Sequence, residues 1–231
     1  MELNANLIDF LSELRKSIRL LGAAIIAGTV GLYLLAPFLL LRLQGHLGQK
    51  LAFFTVAEPF IALVKLSFFT TLFVLMPGIL YCVWHALGKP FQMSGKAVNW
   101  FILFTCLLFY SGAAFCYFIT LPYGVQFLLG FQSEYLKPVI SINKFVTFVA
   151  VFVLAFGVIF ELPIFMIFTA KVGILSRRTF EKQRRYAILI ISIVAAVLTP
   201  TPDIVNMMLM GVPLYLLYEL GILALKMLKL P

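Results

Sequence analysis

Residues 156–165 read FGVIFELPIF. They place one carboxylate, Glu161, with Pro163 two positions later, inside an apolar stretch from about Phe145 to Ala170. At about 1.5 Å per residue, a helix over that stretch exceeds the roughly 30 Å of bilayer hydrocarbon. A charged carboxylate near the bilayer centre costs on the order of several kcal/mol, so it faces protein or water, or it carries a proton. Pro163 removes one backbone donor and frees the carbonyl of Ile159. Together they predict a bend with a polar point at membrane depth. A carboxylate that merely bonds to a neighbouring helix for packing is the plainer alternative.

The rest of the chain supports a membrane setting. Of 231 residues, 63% are hydrophobic and 12% are charged, with mean hydropathy +1.07. A soluble domain is about half apolar and a quarter charged, so one core of this size cannot hide so much apolar surface. The expected fold is all-α: a polytopic integral membrane protein with a single six-span domain over residues 1–231. The spans are read at about 20–41, 60–87, 98–122, 145–170, 186–198 and 204–225. The first is too long for a signal-peptide core and is read as one retained helix. The second contains Lys65 and Pro77. Pro77 predicts a tilt or kink, and Lys65 either pairs with Glu161 or, as favoured here, snorkels to the membrane surface. The fifth has about 20 Å of apolar helix at ~1.5 Å per residue. It is followed at once by LTPTPD, residues 198–203. Either the bilayer thins there or neighbouring helices shield its ends.

Lysine and arginine set the orientation. Thirteen lie near span ends on one side, in the N-terminal segment, the 2–3 and 4–5 loops and the C-terminus; four lie on the other. Both termini are therefore expected in the cytoplasm. The same asymmetry accounts for the net charge of +9 without nucleic acid. Cys82, Cys106 and Cys116 all lie in apolar runs and form no CxxC, and His46 and His85 lack metal-ligand spacing. No HExxH, GxSxG or Walker A sequence occurs. No catalytic residue, metal ligand or cofactor is assigned, and the chain is not read as an enzyme. A proton-coupled secondary transporter using Glu161 is the alternative function, although no internal repeat relates residues 1–115 to 116–231.

Ahead of the first span, NLIDFLSELRKSIRLL (residues 6–21) reads as an amphipathic helix. Leu7, Leu11, Leu14 and Ile18 form its apolar stripe. Asp9 and Glu13, four apart, share another part of its surface; they are a solvated face with Lys16 beside Glu13, or an acidic site for a cationic ligand. Asp203 stands at N-cap spacing before the last span, and Glu219 is a second carboxylate at membrane depth.

Several of these pieces, in this order, resemble one family. FLSELRKSI (10–18), FTVAEPFIALVKLS (54–67), YFITLP (117–122), FGVIFELP (156–163), LTPTPD (198–203) and PLYLLYELGI (213–222) are similar to segments of TatC, the receptor subunit of the twin-arginine protein translocase. The resemblance implies a concave, glove-like helical bundle in the inner (cytoplasmic) membrane. It implies binding of twin-arginine signal peptides of folded cargo on the cytoplasmic side. It also implies hetero-oligomeric work with single-span TatA and TatB partners in the lipid bilayer, driven by the proton-motive force. By this likeness Glu13 falls on the arginine-reading glutamate; Asp9, which shares a helical face with it, is expected to supply a second carboxylate of the signal-peptide site, with Arg15 beside them. Glu161, with Pro163, falls on the intramembrane glutamate. Asp203, Tyr218 and Glu219 fall on family positions of the last hairpin and helix, and Glu58 and Pro59 on the first periplasmic loop. Guanidinium pairs bidentately with carboxylate, which lysine cannot copy, so the residue types suit the role. The chain departs from the family at Lys96, where a second arginine-reading glutamate is usual, at Phe10 (often His), at Met207 (often Gln) and in the extra residue of TPTPD.

Overall fold

The computed structural model describes residues 19–48, 51–130, 139–198 and 204–229. Glu13, Asp9, Arg15 and Asp203 lie outside them. The elements follow in chain order: α1 (Arg19–Tyr33), α2 (Ala36–Leu47), β1 (Leu51–Ala52), α3 (Glu58–Gly88) and α4 (Gly95–Phe115). A π-helical turn, Cys116–Thr120, leads into α5 (Leu121–Leu129). Then come β2 (Ile140–Ser141), α6 (Ile142–Ile159), α7 (Leu162–Lys171), α8 (Arg177–Lys182), α9 (Arg184–Leu198) and α10 (Ile204–Met227). The chain packs as two compact units. The first holds the chain up to Cys106 and Leu121–Leu154; the second holds Leu107–Thr120 and everything from Ala155 onward.

Among the described residues, four helical stretches are long and apolar enough to cross a membrane: Glu58–Gly88, Gly95–Phe127, Ile142–Lys171 and Met207–Met227. The bent pair Arg19–Tyr33 and Ala36–Gly45 makes a fifth if taken together. The span read at 186–198 is α9, whose 15 residues reach only about 22 Å.

Prolines explain where these helices break. The span read as one helix over 20–41 bends by 73° between α1 and α2, which corrects that reading. Pro37, at the start of α2, cannot donate to the carbonyl of Tyr33, and its ring crowds that carbonyl. Pro122 has the same defect with respect to Phe118, and the chain absorbs it by widening into the π turn just before it. Pro163 separates α6 from α7 at Phe160 and Glu161. Pro77 and Pro213 lie inside α3 and α10, which stay helical on both sides of them.

In the first unit β1 and β2 pair in parallel, Leu51 with Ile140 and Ala52 with Ser141. Each two-residue strand leads into a long helix, so α3 and α6 begin beside each other. Ala36, Ala62, Leu66 and Val146 form a buried cluster beneath them, bringing α2, α3 and α6 together. Where α3 turns into α4, Trp84 stacks on Phe101 with ring centroids 4.6 Å apart. In the second unit α4 and α6 approach through glycines. A Cβ on Gly112 would lie 2.5 Å from Phe160 Cγ, and one on Gly157 would lie 2.5 Å from Phe109 Cε2. The packing of α10 on α7 follows the same logic, with Gly221 against Met166 and the Cα of Pro163. Between helices in lipid, such close approach gathers dispersion contacts where no hydrophobic force acts.

Candidate functional site

Glu161 occupies the gap between α6 and α7. Its own N–H reaches only the carbonyl of Val158 (3.1 Å), and its carbonyl accepts from Phe165 N–H (3.0 Å), which starts α7. Its side chain caps nothing. Both carboxyl oxygens are buried, and neither finds a hydrogen-bond partner among the described residues. The helix is therefore interrupted where Pro163 predicts it, and a buried polar group sits at the interruption. Such a group destabilises the fold by about 1–3 kcal/mol. Glu161→Leu is accordingly expected to raise thermal stability in detergent, with Glu161→Gln close to the parent. A fall in stability for both would show that the carboxylate has a bonding partner.

Lys65 is half-buried in α3 and donates to Asn143 Oδ1 (2.9 Å) and Thr147 Oγ1 (3.2 Å), both on the first turns of α6. The ammonium is thereby held against the start of α6. Asn143 and Thr147 were invisible as partners in the sequence, because 78 and 82 residues separate them from Lys65.

Glu58 and Pro59 open α3 itself, with Glu58 buried. One Glu58 carboxylate oxygen accepts the N–H of Phe54 at 2.7 Å. The other accepts the hydroxyl of Ser141 and, at 3.4 Å, the N–H of Asn143. Ser141 Oγ accepts in turn from Lys144 N–H (3.3 Å). This carboxylate therefore ties the segment before α3 to the start of α6, beside the β1–β2 pair.

At the far end of the second unit, Glu219 is an ion-pair partner rather than a lone membrane carboxylate. Arg184 grips it with two nitrogens, Nε to Oε1 at 2.8 Å and Nη2 to Oε2 at 2.9 Å. Tyr215 Oη donates to Oε1 at 2.9 Å. One turn away, Tyr218 Oη donates to the carbonyl of Phe180 at 2.8 Å, and the two rings meet edge to face. The pair is partly exposed, and such pairs contribute about 0.2–1 kcal/mol, so its main effect is geometric. It fixes α9 and the α8 segment to α10. Arg184 was counted in the sequence only as one of the basic loop residues; nothing in the spacing marked it as the partner of a glutamate 35 positions on.

Lys96 stands exposed in the first turn of α4. A cation there opposes the positive end of the helix dipole. Met207, Gly211, Tyr215, Ile188, Ile191 and Ser192 line an apolar groove of about 440 Å³ between α9 and α10. No group of His, Cys, Asp and Glu among the described residues is arranged to hold a metal. Of the residues singled out in the sequence, the second unit brings Pro163 against Gly221, close along α10 to Tyr218 and Glu219.

Comparison with known proteins adds identity to this geometry. The family described as "Sec-independent protein translocase protein (TatC)" matches residues 9–213. The TatC of Carboxydothermus hydrogenoformans is 33% identical over 229 residues, covering 96% of this chain and 93% of that protein. The TatC of Koribacter versatilis is 35% identical over 187 residues, covering 80% and 69%. A crystal structure of the twin arginine translocase receptor TatC in DDM superposes with a TM-score of 0.82 at 30% identity, covering 93% of this chain and 98% of that one. With its long apolar helices, the chain is a multi-pass inner-membrane component of protein transport rather than an enzyme, and it belongs to the TatC family of Sec-independent protein translocase proteins.

Proposed function

We propose that this chain is the signal-peptide receptor of a twin-arginine translocase. It binds twin-arginine peptides at the cytoplasmic face and passes folded cargo across with single-span TatA/TatB-type partners, driven by the proton-motive force. The observation that carries the reading is the likeness over nearly the whole chain to a structure described as the twin arginine translocase receptor. The family also favours this reading over a proton-coupled secondary transporter.

In this proposal the six spans are the four long helices, α1 with α2 turned across its end, and α9, within one membrane domain. The excess of lysine and arginine puts both termini in the cytoplasm. Glu13, with Asp9 and Arg15 nearby, reads the paired arginines through bidentate carboxylate contacts. Asp9 supplies the second carboxylate, because Lys96 stands where the family usually has a glutamate. Glu161 with Pro163 offers a polar point in the membrane. Asp203, Tyr218 and Glu219 set the last hairpin where a partner helix docks, and the α9–α10 groove offers that helix an apolar seat. Glu58 and Pro59 shape the first periplasmic loop.

The test is binding of a twin-arginine signal peptide to the purified protein in detergent, compared with a twin-lysine peptide. A preference of about tenfold or more for arginine is expected, the scale of one charge-assisted bidentate contact. Glu13→Ala should abolish that preference and Asp9→Asn should weaken it. Equal affinity for both peptides would overturn the receptor reading, and an unchanged Asp9→Asn variant would remove Asp9 from it.

A further inference from the structure

We propose that α2 and the segment 53–56 form an interfacial lipid anchor, seated at the headgroup–acyl boundary of one leaflet. The 73° bend carries the first argument. The 12 residues of α2 are about 18 Å long, yet they advance only about 5 Å along the axis of α1. The helix therefore runs across the end of a span rather than extending it.

Its two faces carry the second argument. Ala36, Leu39, Leu40 and Leu43 pack on the cluster around Ala62, Leu66 and Val146. The opposite stripe, Phe38 and Leu41, is 64% and 67% exposed, with Arg42 exposed beside it and Leu34, in the turn before the helix, 83% exposed. Apolar exposure with a basic neighbour, on a helix lying across a span end, is the pattern of an interface-plane helix. The loop that ends at α3 repeats it. Phe54 is 67% exposed and Val56 96%, and Phe53 is exposed beside them. They are held outward because Glu58 takes the N–H of Phe54.

Lipid is the occupant because the patch continues the exposed apolar surface of the neighbouring helices. Val30 on α1 and Phe60 on α3 are exposed just beyond it. The inference requires only that α1 and α3 enter the membrane; it holds whichever leaflet is involved and does not rest on the receptor role.

The experiment places a nitroxide by Val56→Cys and, separately, by Phe38→Cys. The background is Cys82→Ala, Cys106→Ala and Cys116→Ala, in phosphatidylcholine vesicles at high lipid-to-protein ratio. Relative accessibility to oxygen and to a water-soluble nickel chelate should place both labels about 5–10 Å below the phosphates. Labels fully accessible to the nickel chelate would overturn the proposal. So would labels shielded from both reagents whose dipolar broadening disappears on tenfold lipid dilution, which would mean that a second copy of the chain covers the patch. If the cysteine-free protein does not fold, Phe53→Trp in the native background replaces it. Lipids brominated at carbons 6 and 7 should then quench more emission than in the parent, which has Trp84 and Trp100 only; no added quenching would overturn the anchor.

Discussion

Gly112→Val is expected to unfold the second unit in detergent, more than any other single glycine replacement in that unit. A Cβ at Gly112 meets Phe160 at Cγ (2.5 Å) and Cβ (2.7 Å), and the backbone carbonyl oxygen of Phe156 at 2.8 Å. Phe160 cannot turn its own Cβ away, and the carbonyl belongs to α6. Relief therefore requires the two helices to separate. Overpacking typically costs about 1–3 kcal/mol, and a backbone obstacle puts this case at or beyond the upper end. At Gly157 the obstacle is the far side of the Phe109 ring, and at Gly221 it is the thioether of Met166. Both can swing in part, and a thioether most easily. The order of damage should be Gly112, then Gly157, then Gly221, each replaced by valine. Thermal unfolding followed by size-exclusion chromatography checks it. A Gly112→Val protein with parental stability would mean that the α4–α6 contact is looser than its geometry indicates.

Glu58→Ala is the second large effect, and it is local. The substitution leaves the N–H of Phe54, the hydroxyl of Ser141 and the N–H of Asn143 without their acceptor. Stranding buried donors is more damaging than never having made the bonds. The segment before α3 should open, and with it the β1–β2 pair. Chymotrypsin has Phe53 and Phe54 to cut there. Cleavage that follows the open population should speed up on the order of tenfold or more. Glu58→Gln keeps an acceptor oxygen but turns a donor toward one of the three N–H and O–H groups, so it should fall between. Parental cleavage rates in Glu58→Ala would show that the two segments hold together without the carboxylate. The lipid anchor also predicts that Glu58→Ala lets the label at Val56 move toward water, since this carboxylate is what holds the Phe54 tip.

Much of this protein was legible from residue order alone, because its environment is a one-dimensional constraint. In hydrocarbon every backbone group must bond within its own segment, so an apolar run of sufficient length is a helix whatever surrounds it. The stretches 60–87, 98–122, 145–170 and 204–225 could be marked on the sequence for that reason. The gap at Glu161 was legible too, since Pro163 takes away a donor at a known distance from it. Family membership was readable because short motifs kept their order along the chain.

Tertiary structure decided what each charge and each proline does. Pro37 stands at the break between α1 and α2, whereas Pro77 sits inside an unbroken α3, although both remove the same hydrogen bond. Glu161 and Glu219 read alike in the sequence. One ends with both oxygens unpartnered among the described residues, and the other is gripped by Arg184 and Tyr215. Lys65 finds Asn143 and Thr147, and Glu58 finds Ser141, across about 80 residues of chain. A side-chain bond forms within about 3 Å in space, and separation along the chain does not encode that distance. Periodicity and composition determined which segments enter the membrane; only the packing of those segments determined which polar groups meet inside it.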